Sequence, residues 1–220
     1  MTLGDTALTT LATVKARLGI TDSSSDSLLE ALVNAASSAV VSFIGRSLHY
    51  EEDIAEYVIG TGRARLSVSR APIWSIDSIA FDGSAIDSAS YEVRGRDKYT
   101  GHIMAVSRAW MWTTSARGGT IAQDPVVSAE RYRYLVTYTA GYATPTQTPI
   151  ADVEDLPTDI QEACILATQY LYAQVGKDTS VASESLLSYS VSYDRSAVSA
   201  YGLPLAAQAI LAPYRWMPVA

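Results

Sequence analysis

The stretch DSLLEALVNAASSAVVSFIGR at 26–46 decides the fold class of this chain. Its apolar residues, among them Leu29, Val33 and Val40, recur at steps of three and four. That spacing places them on one stripe of an α-helix, and Gly45 suits the left-handed residue that ends a helix. We predict a long amphipathic helix near the N-terminus. A single apolar stripe needs a partner to cover it.

The partner is predicted at LPTDIQEACILATQYLYAQ, residues 156–174. This stretch is apolar on nearly all sides, which is typical of a helix buried on several faces. A shorter helix is predicted at TTLATVKARL, residues 9–18. We expect the two long helices to pack together as the centre of a small bundle. The expected core residues are Leu32, Val33, Val40, Ile160, Cys164 and Leu171.

Between the two long helices the apolar period changes to two, which is the period of β-strands. RLSVSRAPIWSIDSIAFDG at 65–83 and VTYTAGY at 136–142 carry the clearest alternation. Asp82-Gly83 is a tight-turn signal. Trp110 and Trp112 precede Gly118-Gly119 in a predicted loop or hairpin. We predict an inserted antiparallel sheet of about five or six strands.

The C-terminal stretch from 176 to 200 is rich in Ser, Asp, Thr and Ala and predicts an extended arm. Pro204 then opens a short apolar helix. The fold class is therefore α+β: a small helical bundle with short terminal helices, an inserted antiparallel sheet domain and an extended C-terminal arm. The predicted boundaries give a helical part at 1–55, a β-rich insertion at 56–145, a second bundle helix at 146–178 and the arm at 179–220.

Composition excludes several classes of protein. The single cysteine, Cys164, rules out an intrachain disulfide framework, and its apolar neighbours predict a buried, inert thiol. The start MTLGDTALTT lacks the features of a secretory signal. No apolar run is expected to reach the ~18 residues of a membrane span. The formal net charge of −7 argues against a dense basic face for tight DNA binding.

The search for catalytic chemistry is negative. His49 and His102 lack a His or Cys neighbour at metal-binding spacing. Gly60-Thr61-Gly62 is a turn fragment without the helix that a phosphate-binding loop requires. We expect no enzyme, no metal and no cofactor. A glycosidase-like carboxylate pair stays open as an alternative, because the chain has 23 acidic residues.

The order of these segments resembles one viral family. The stretches that carry the resemblance are LTTLATVKARLGI at 8–20, the helix at 26–46, the run from Leu66 to Gly83, and VTYTAGY followed by the helix at 156–174. SESLLSYSVSYDRS and LPLAAQAILAPYR in the tail add to it. The succession is similar to the head–tail connector proteins of long-tailed phages, also called adaptor or head-completion proteins. Residues from about 84 to 130 match least.

The resemblance implies a structural protein of the virion neck, assembled in the host cytoplasm. It implies a ring, typically of twelve copies, beneath the portal, with the next connector, stopper or tail protein on its far side. Double-stranded DNA would pass through the channel only transiently, and no membrane is involved. The alternative that we keep is a β-rich receptor- or carbohydrate-binding virion module, suggested by the tryptophans and by 14 tyrosines against 2 phenylalanines.

Two sets of residues are candidates for contacts with partners. Apolar anchors on an extended arm usually dock on something, either a partner or the chain's own core. The candidate arm residues, for the portal or a neighbouring copy, are Tyr189, Val191, Tyr193, Leu203, Leu205, Ile210, Leu211, Tyr214 and Trp216. The candidate contacts to the tail side or to a neighbouring subunit are Arg94, Arg96, Lys98, Trp110, Trp112 and Arg117.

Overall fold

The computed structural model describes residues 2–60, 62–106, 110, 134–147, 149–175, 183–186, 189–192 and 202–216. In chain order the elements are α1 (Leu11–Leu18), α2 (Asp26–Ile44), β1 (Glu51–Val58), β2 (Arg65–Ser67), β3 (Ile73–Phe81), β4 (Ser84–Ala85), β5 (Tyr91–Glu92), α3 (Asp97–Thr100), β6 (His102–Ala105), β7 (Tyr134–Ala140), α4 (Thr158–Gln174), β8 (Ser183–Leu186), β9 (Tyr189–Ser192) and α5 (Leu205–Leu211). The α+β class is as predicted.

The chain divides into two compact units. Met1–Arg46 and Ala143–Ala220 form the first, called the helical unit, and Ser47–Tyr142 form the second, called the β unit. The β unit begins earlier than the boundary at residue 56 predicted from the sequence. The cause is β1, whose sequence EEDIAEYV opens on three acidic residues and hides the period of two.

The helical unit is built on the packing of α2 against α4. Of the expected core, Val33, Val40, Ile160 and Cys164 are buried, whereas Leu32 and Leu171 are partly exposed. Leu32 directly precedes Val33, so it projects about 100° away around the helix. Small residues at the contact allow close approach: the Ser37 hydroxyl lies 3.4 Å from the Cys164 sulfur.

By length and apolar composition α2 qualifies as a membrane-spanning helix. This corrects the expectation that no apolar run reaches that length. A core helix passes the same test, and the apolar stripe of α2 supplies the buried residues Leu29, Val33, Val40 and Ile44. The helix also carries Asp26, Glu30 and Asn34 along its length. We therefore assign α2 to the core of the helical unit.

Segments distant in sequence close the helical unit. The backbone N–H of Leu8 donates to the Ser37 hydroxyl at 3.1 Å, and the Thr144 hydroxyl donates to the Asp5 carbonyl at 3.1 Å. These contacts fix the segment before α1 on α2 and on the loop before α4. The Trp216 N–H donates to the Ile44 carbonyl at 2.7 Å, so the last described residue is held at the end of α2.

The β unit holds two antiparallel sheets. The first has the order β1-β7-β3-β4 and the second the order β2-β6-β5. Alternate residues of β7 are buried, which is the expected period of two. The turn at Asp82-Gly83 joins β3 to β4 with both residues at positive φ, as the sequence predicts. Side chains from both sheets form one apolar core, including Ile54, Leu66 and Ile103.

The arm contains a two-stranded hairpin. Strand β8 pairs antiparallel with β9, with Ser183 opposite Ser192 and Leu186 opposite Tyr189. No third strand joins this ladder among the described residues. Isolated two-stranded hairpins are marginally stable in water, so this one needs further contacts to persist.

Candidate functional site

The described residues hold no group of three or more His, Cys, Asp or Glu positioned to bind a metal ion. Each histidine has a local hydrogen-bond partner: His49 Nδ1 lies 2.8 Å from the Ser47 hydroxyl, and His102 Nδ1 lies 3.0 Å from the Ser67 hydroxyl. Burial, followed by the nearby Arg65 guanidinium, lowers the pKa of His102. The His102 imidazole is therefore neutral at neutral pH, and its hydrogen bond to Ser67 connects strands β6 and β2.

The single thiol is suited to packing. Burial raises the pKa of Cys164 to about 11, against a smaller opposing effect of the Ser37 hydrogen bond. Because the thiolate is the reactive form, the folded protein keeps this sulfur inert at neutral pH.

A partly buried polar network joins strands of the β unit. The Glu56 carboxylate accepts a hydrogen bond of 2.7 Å from the Tyr138 hydroxyl, 2.9 Å from the Ser69 hydroxyl and 3.1 Å from the Ser69 N–H. Burial first, and then the hydrogen bond to Glu56, raises the pKa of Tyr138 well above its ordinary value. The network ties β1 to β7 and to the turn after β2. One carboxylate accepts all three hydrogen bonds, so the network holds these strands together and its donors are already engaged.

Two glycines allow close approach of backbones in the β unit. A Cβ on Gly141 would lie 2.2 Å from the His49 carbonyl oxygen, and φ there is +111°. A Cβ on Gly101 would lie 2.8 Å from the Val68 carbonyl oxygen. These positions require glycine both for space and for backbone conformation.

Trp110 lies in the core of the β unit and is only 5% exposed. Its ring meets Tyr134 edge-to-face with centroids 5.2 Å apart, and its indole N–H donates to the Ile103 carbonyl at 3.2 Å. The prediction of a partner contact at Trp110 is therefore corrected: its apolar area is already covered by its own unit. A tryptophan buried in this way also offers no surface for stacking a sugar, which weighs against the carbohydrate-binding alternative.

The predicted cations divide into two groups. Lys98 Nζ lies 3.4 Å from the centroid of the Trp74 ring, and the Trp74 indole N–H donates to the Gly141 carbonyl at 2.6 Å. This stack was missed from the sequence, because Trp74 and Lys98 lie on different elements. Arg94 and Arg96 are both exposed, and Arg94 forms an ion pair with Glu92.

Arg94 and Arg96 belong to a larger basic patch. Arg65 Nη2 lies 3.8 Å from Asp97 Oδ1, which places the start of β2 beside the turn that follows β5. Arg63 is also exposed. We call the set Arg63, Arg65, Arg94 and Arg96 the basic patch.

Strand β1 forms the opposite kind of surface. It is an edge strand, since its one neighbour among the described strands is β7. Its first three residues, Glu51, Glu52 and Asp53, are all exposed, and the pairing with β7 is irregular there. We call these three residues the acidic edge. Further along the strand Tyr57 is 49% exposed.

The predicted arm anchors are not all available to partners. Leu203 and Leu211 are buried in the helical unit, and α5 packs on α4 and α2. Tyr214 is half-buried, and its hydroxyl donates to Asp159 at 3.3 Å. Of the two alternatives for the arm anchors, docking on the chain's own core is the one observed for Leu203 and Leu211, so a partner contact at these two residues is corrected. The physical reason is spacing: Leu203, Ala207 and Leu211 form one stripe that the unit itself covers.

Some of the predicted contact residues are exposed, and others lie outside the described residues. Leu205 is 56% exposed, Ile210 is partly exposed, and Trp216 is partly exposed beside the end of α2. Tyr189 and Val191 lie on β9 by backbone position. Trp112, Arg117 and Tyr193 lie outside the described residues.

Comparison with known proteins gives one family and several similar folds. Residues 7–217 match the family described as head completion protein. The chain is similar to a chain in the neck of a native gene transfer agent (GTA) particle computed with C12 symmetry, at 14% identity and a TM-score of 0.57, covering 100% of this chain and 94% of that chain. No curated protein sequence gives a significant match.

Two further structures show the same fold. One is the neck of an empty GTA particle computed with C6 symmetry, at 14% identity, a TM-score of 0.59 and coverage of 100% of this chain and 95% of that chain. The other is the virion of a native GTA particle, at 13% identity, a TM-score of 0.56 and coverage of 100% and 95%. At such low identity these likenesses establish the fold.

Proposed function

Because this chain belongs to the head completion protein family, we propose that it forms a ring of identical copies in the virion neck, between the portal of the filled head and the next connector or tail protein. As a member of that family it is a structural virion protein and not an enzyme. The observation that carries the proposal is the family match over residues 7–217, since it spans both the helical and the β unit.

The similar folds support a ring of twelve. The GTA neck was computed with C12 symmetry in one particle and C6 symmetry in another, and both symmetries are compatible with a ring of identical chains. A ring needs a heterologous contact, in which two different surfaces of one copy meet those of its neighbours. We expect the helical unit to supply the stable body of each copy, because its helices bury one another.

We propose that the arm contacts the portal or a neighbouring copy through its hairpin. Because α5 packs within the helical unit, the proposal concerns the part of the arm that precedes residue 202. Strands β8 and β9 pair with each other and still carry outer edges able to extend another sheet. The anchors would be Tyr189, Val191 and Tyr193 on this stretch, with Leu205 as an exposed apolar residue beyond it.

We propose that DNA passes through the ring without being held. The chain has a formal net charge of −7, so its overall field repels phosphates. Tight binding to duplex DNA requires many phosphate contacts from lysine and arginine.

The experiment is complementation of particles that lack this protein. We expect its deletion to give DNA-filled heads and free tails that do not join, and addition of the purified full-length protein to restore joined particles. Protein with Val33→Asp, which places an unpaired carboxylate in the core of the helical unit and is expected to assemble poorly, serves as the negative control. Normal joined particles in the complete absence of this protein would contradict the proposal, as would a defect confined to host attachment, which the receptor-binding alternative predicts.

A further inference from the structure

We propose that the acidic edge of one copy docks on the basic patch of the next copy, so that the β units form the repeating contact of the ring. This inference rests on the proposed ring and names the two surfaces that build it. The occupant of the exposed β1 edge is thus a second copy of this chain. Three observations within the β unit lead to it.

First, one edge of strand β1 is not covered by any other described strand. One edge pairs with β7, and no described strand pairs with the other. Unpaired strand edges invite pairing with another chain, and proteins commonly protect them with charges and bulges. The acidic edge and the irregular pairing between Glu51 and Ile54 provide both kinds of protection at one end only. At the other end Tyr57 and Ile59 are 49% and 43% exposed.

Second, the charges of the acidic edge are incompletely neutralised. Glu51 is paired with Arg70 and lies 3.2 Å from His49, so its charge is used within the unit. Glu52 accepts a hydrogen bond from the Tyr50 hydroxyl, which is neutral. The described residues provide no cation for Glu52 or Asp53. Two carboxylates on the exposed strand therefore remain for a cationic partner.

Third, the basic patch has the matching surplus. Arg94 pairs with Glu92, and Arg65 is 3.8 Å from Asp97, which is a weak contact. Arg63 and Arg96 have no carboxylate partner among the described residues. The basic patch lies at the start of β2 and in the turn after β5, two strands of the sheet β2-β6-β5, whereas the acidic edge lies on a strand of the other sheet. One copy can therefore offer each surface to a different neighbour.

Electrostatic complementarity of this kind sets register and orientation, and an exposed aromatic beside it supplies area that is buried on contact. A head-to-tail arrangement of unlike surfaces is what closes a ring, whereas a contact between two like surfaces would stop at a dimer.

The test changes the charges of each surface in the full-length chain and measures the yield of joined particles in the complementation experiment. The acidic-edge variant is Glu52→Lys with Asp53→Asn, since asparagine tolerates the positive φ of +53° at residue 53. The basic-patch variant is Arg63→Glu with Arg96→Glu. Each alone is expected to lower the yield of joined particles about tenfold or more, because like charges then face each other. The combined variant, with both surfaces reversed, is expected to recover most of that yield.

The matched control reverses charges elsewhere. Arg17 and Glu162 form an exposed ion pair in the helical unit, and Arg17→Glu with Glu162→Arg exchanges them. This control is expected to assemble as the wild type does. Recovery in the combined variant supports the inference. Equal loss in the combined and single variants, or no loss in either single variant, would overturn it.

Cross-linking tests the same contact without relying on yield. The one native thiol, Cys164, is buried, so introduced cysteines report alone. Mixed Glu52→Cys and Arg96→Cys proteins in complemented particles are expected to give a covalent dimer with a short bis-maleimide, and neither variant alone should do so. Dimers from one variant alone would overturn the head-to-tail contact. A neck in which wild-type copies form no ring would overturn the proposed function itself, which separates the two failures.

Discussion

The helical unit and the β unit differ in how much of their surface is left exposed. In the helical unit, segments from the two ends of the chain cover one another, and its polar contacts fix termini onto α2 and α4. The β unit is continuous in sequence and encloses a Glu56–Tyr138 network, yet leaves an edge strand and two charged surfaces exposed. The comparison teaches that apolar helix faces build the body of this protein, while the partly covered sheets are the place to look for its partners.

The largest loss of stability in the helical unit is expected for Val33→Asp. Val33 is fully buried between helices, and an unpaired buried carboxylate costs roughly 4 kcal/mol or more. The partly exposed neighbour Leu32→Asp is the matched control and should cost about 1 kcal/mol. Denaturant unfolding measures both. Equal losses for the two variants would show that α2 faces its partner differently.

The largest loss of stability in the β unit is expected for Gly141→Ala. The new methyl would overlap the His49 carbonyl oxygen, and the positive φ adds strain, so we expect a loss of about 3 kcal/mol or more. Gly83→Ala, at φ +76° with open space around it, should cost about 1 kcal/mol. Hydrogen exchange should show the loss of Gly141→Ala in residues 47–142. Faster exchange in α2 and α4 alone would be inconsistent with two separate units.

A smaller effect is expected for Tyr138→Phe, which removes one hydrogen bond to Glu56 and should cost about 2 kcal/mol near neutral pH. The raised pKa of Tyr138 means that its protonated form is favoured in the folded state. Its contribution is therefore complete below the ordinary value of 10.0 and is lost as the pH rises further, by up to about 1.4 kcal/mol per pH unit.

Stability against pH measures this contribution directly. Tyr138→Phe should show a flatter fall above pH 10 than the wild type. A curve parallel to the wild type throughout the alkaline range would show that the Tyr138 hydroxyl is not held in the network.

The smallest effect is expected for Arg17→Ala in the helical unit. Its ion pair with Glu162 lies at the surface, with the Arg17 side chain 51% exposed, so its removal should change the free energy of unfolding by about 0.5 kcal/mol or less. Thermal unfolding in low and high salt measures it. A loss as large as that of Tyr138→Phe would mean that surface charge, and not the buried core, stabilises this unit.

The sequence was informative where period and turn chemistry act locally. The α2 stripe, the Asp82-Gly83 turn and the alternation of β7 were all predicted, because each depends on neighbouring residues. Strand β1 was missed, since its acidic start masks the pattern of an edge strand. The burial of Trp110 and the docking of α5 were also beyond the sequence. Both depend on which distant element covers an apolar side chain.

The candidate surfaces were predicted only in part. Arg94 and Arg96 were identified as candidate contact residues, but Arg65 and the preceding Arg63 joined them only because β6 pairs with both β2 and β5. The residues of the acidic edge entered the sequence analysis only through the net charge. Strand β1 was not predicted, and the sequence does not reveal which edge of a strand remains uncovered.

Electron cryomicroscopy of the neck of intact particles tests the central claim most directly. The account predicts a closed ring of identical copies of this chain between the portal and the tail, with the acidic edge of each β unit against the basic patch of the next. A neck without this chain, or a ring whose copies meet only through their helical units, would contradict it.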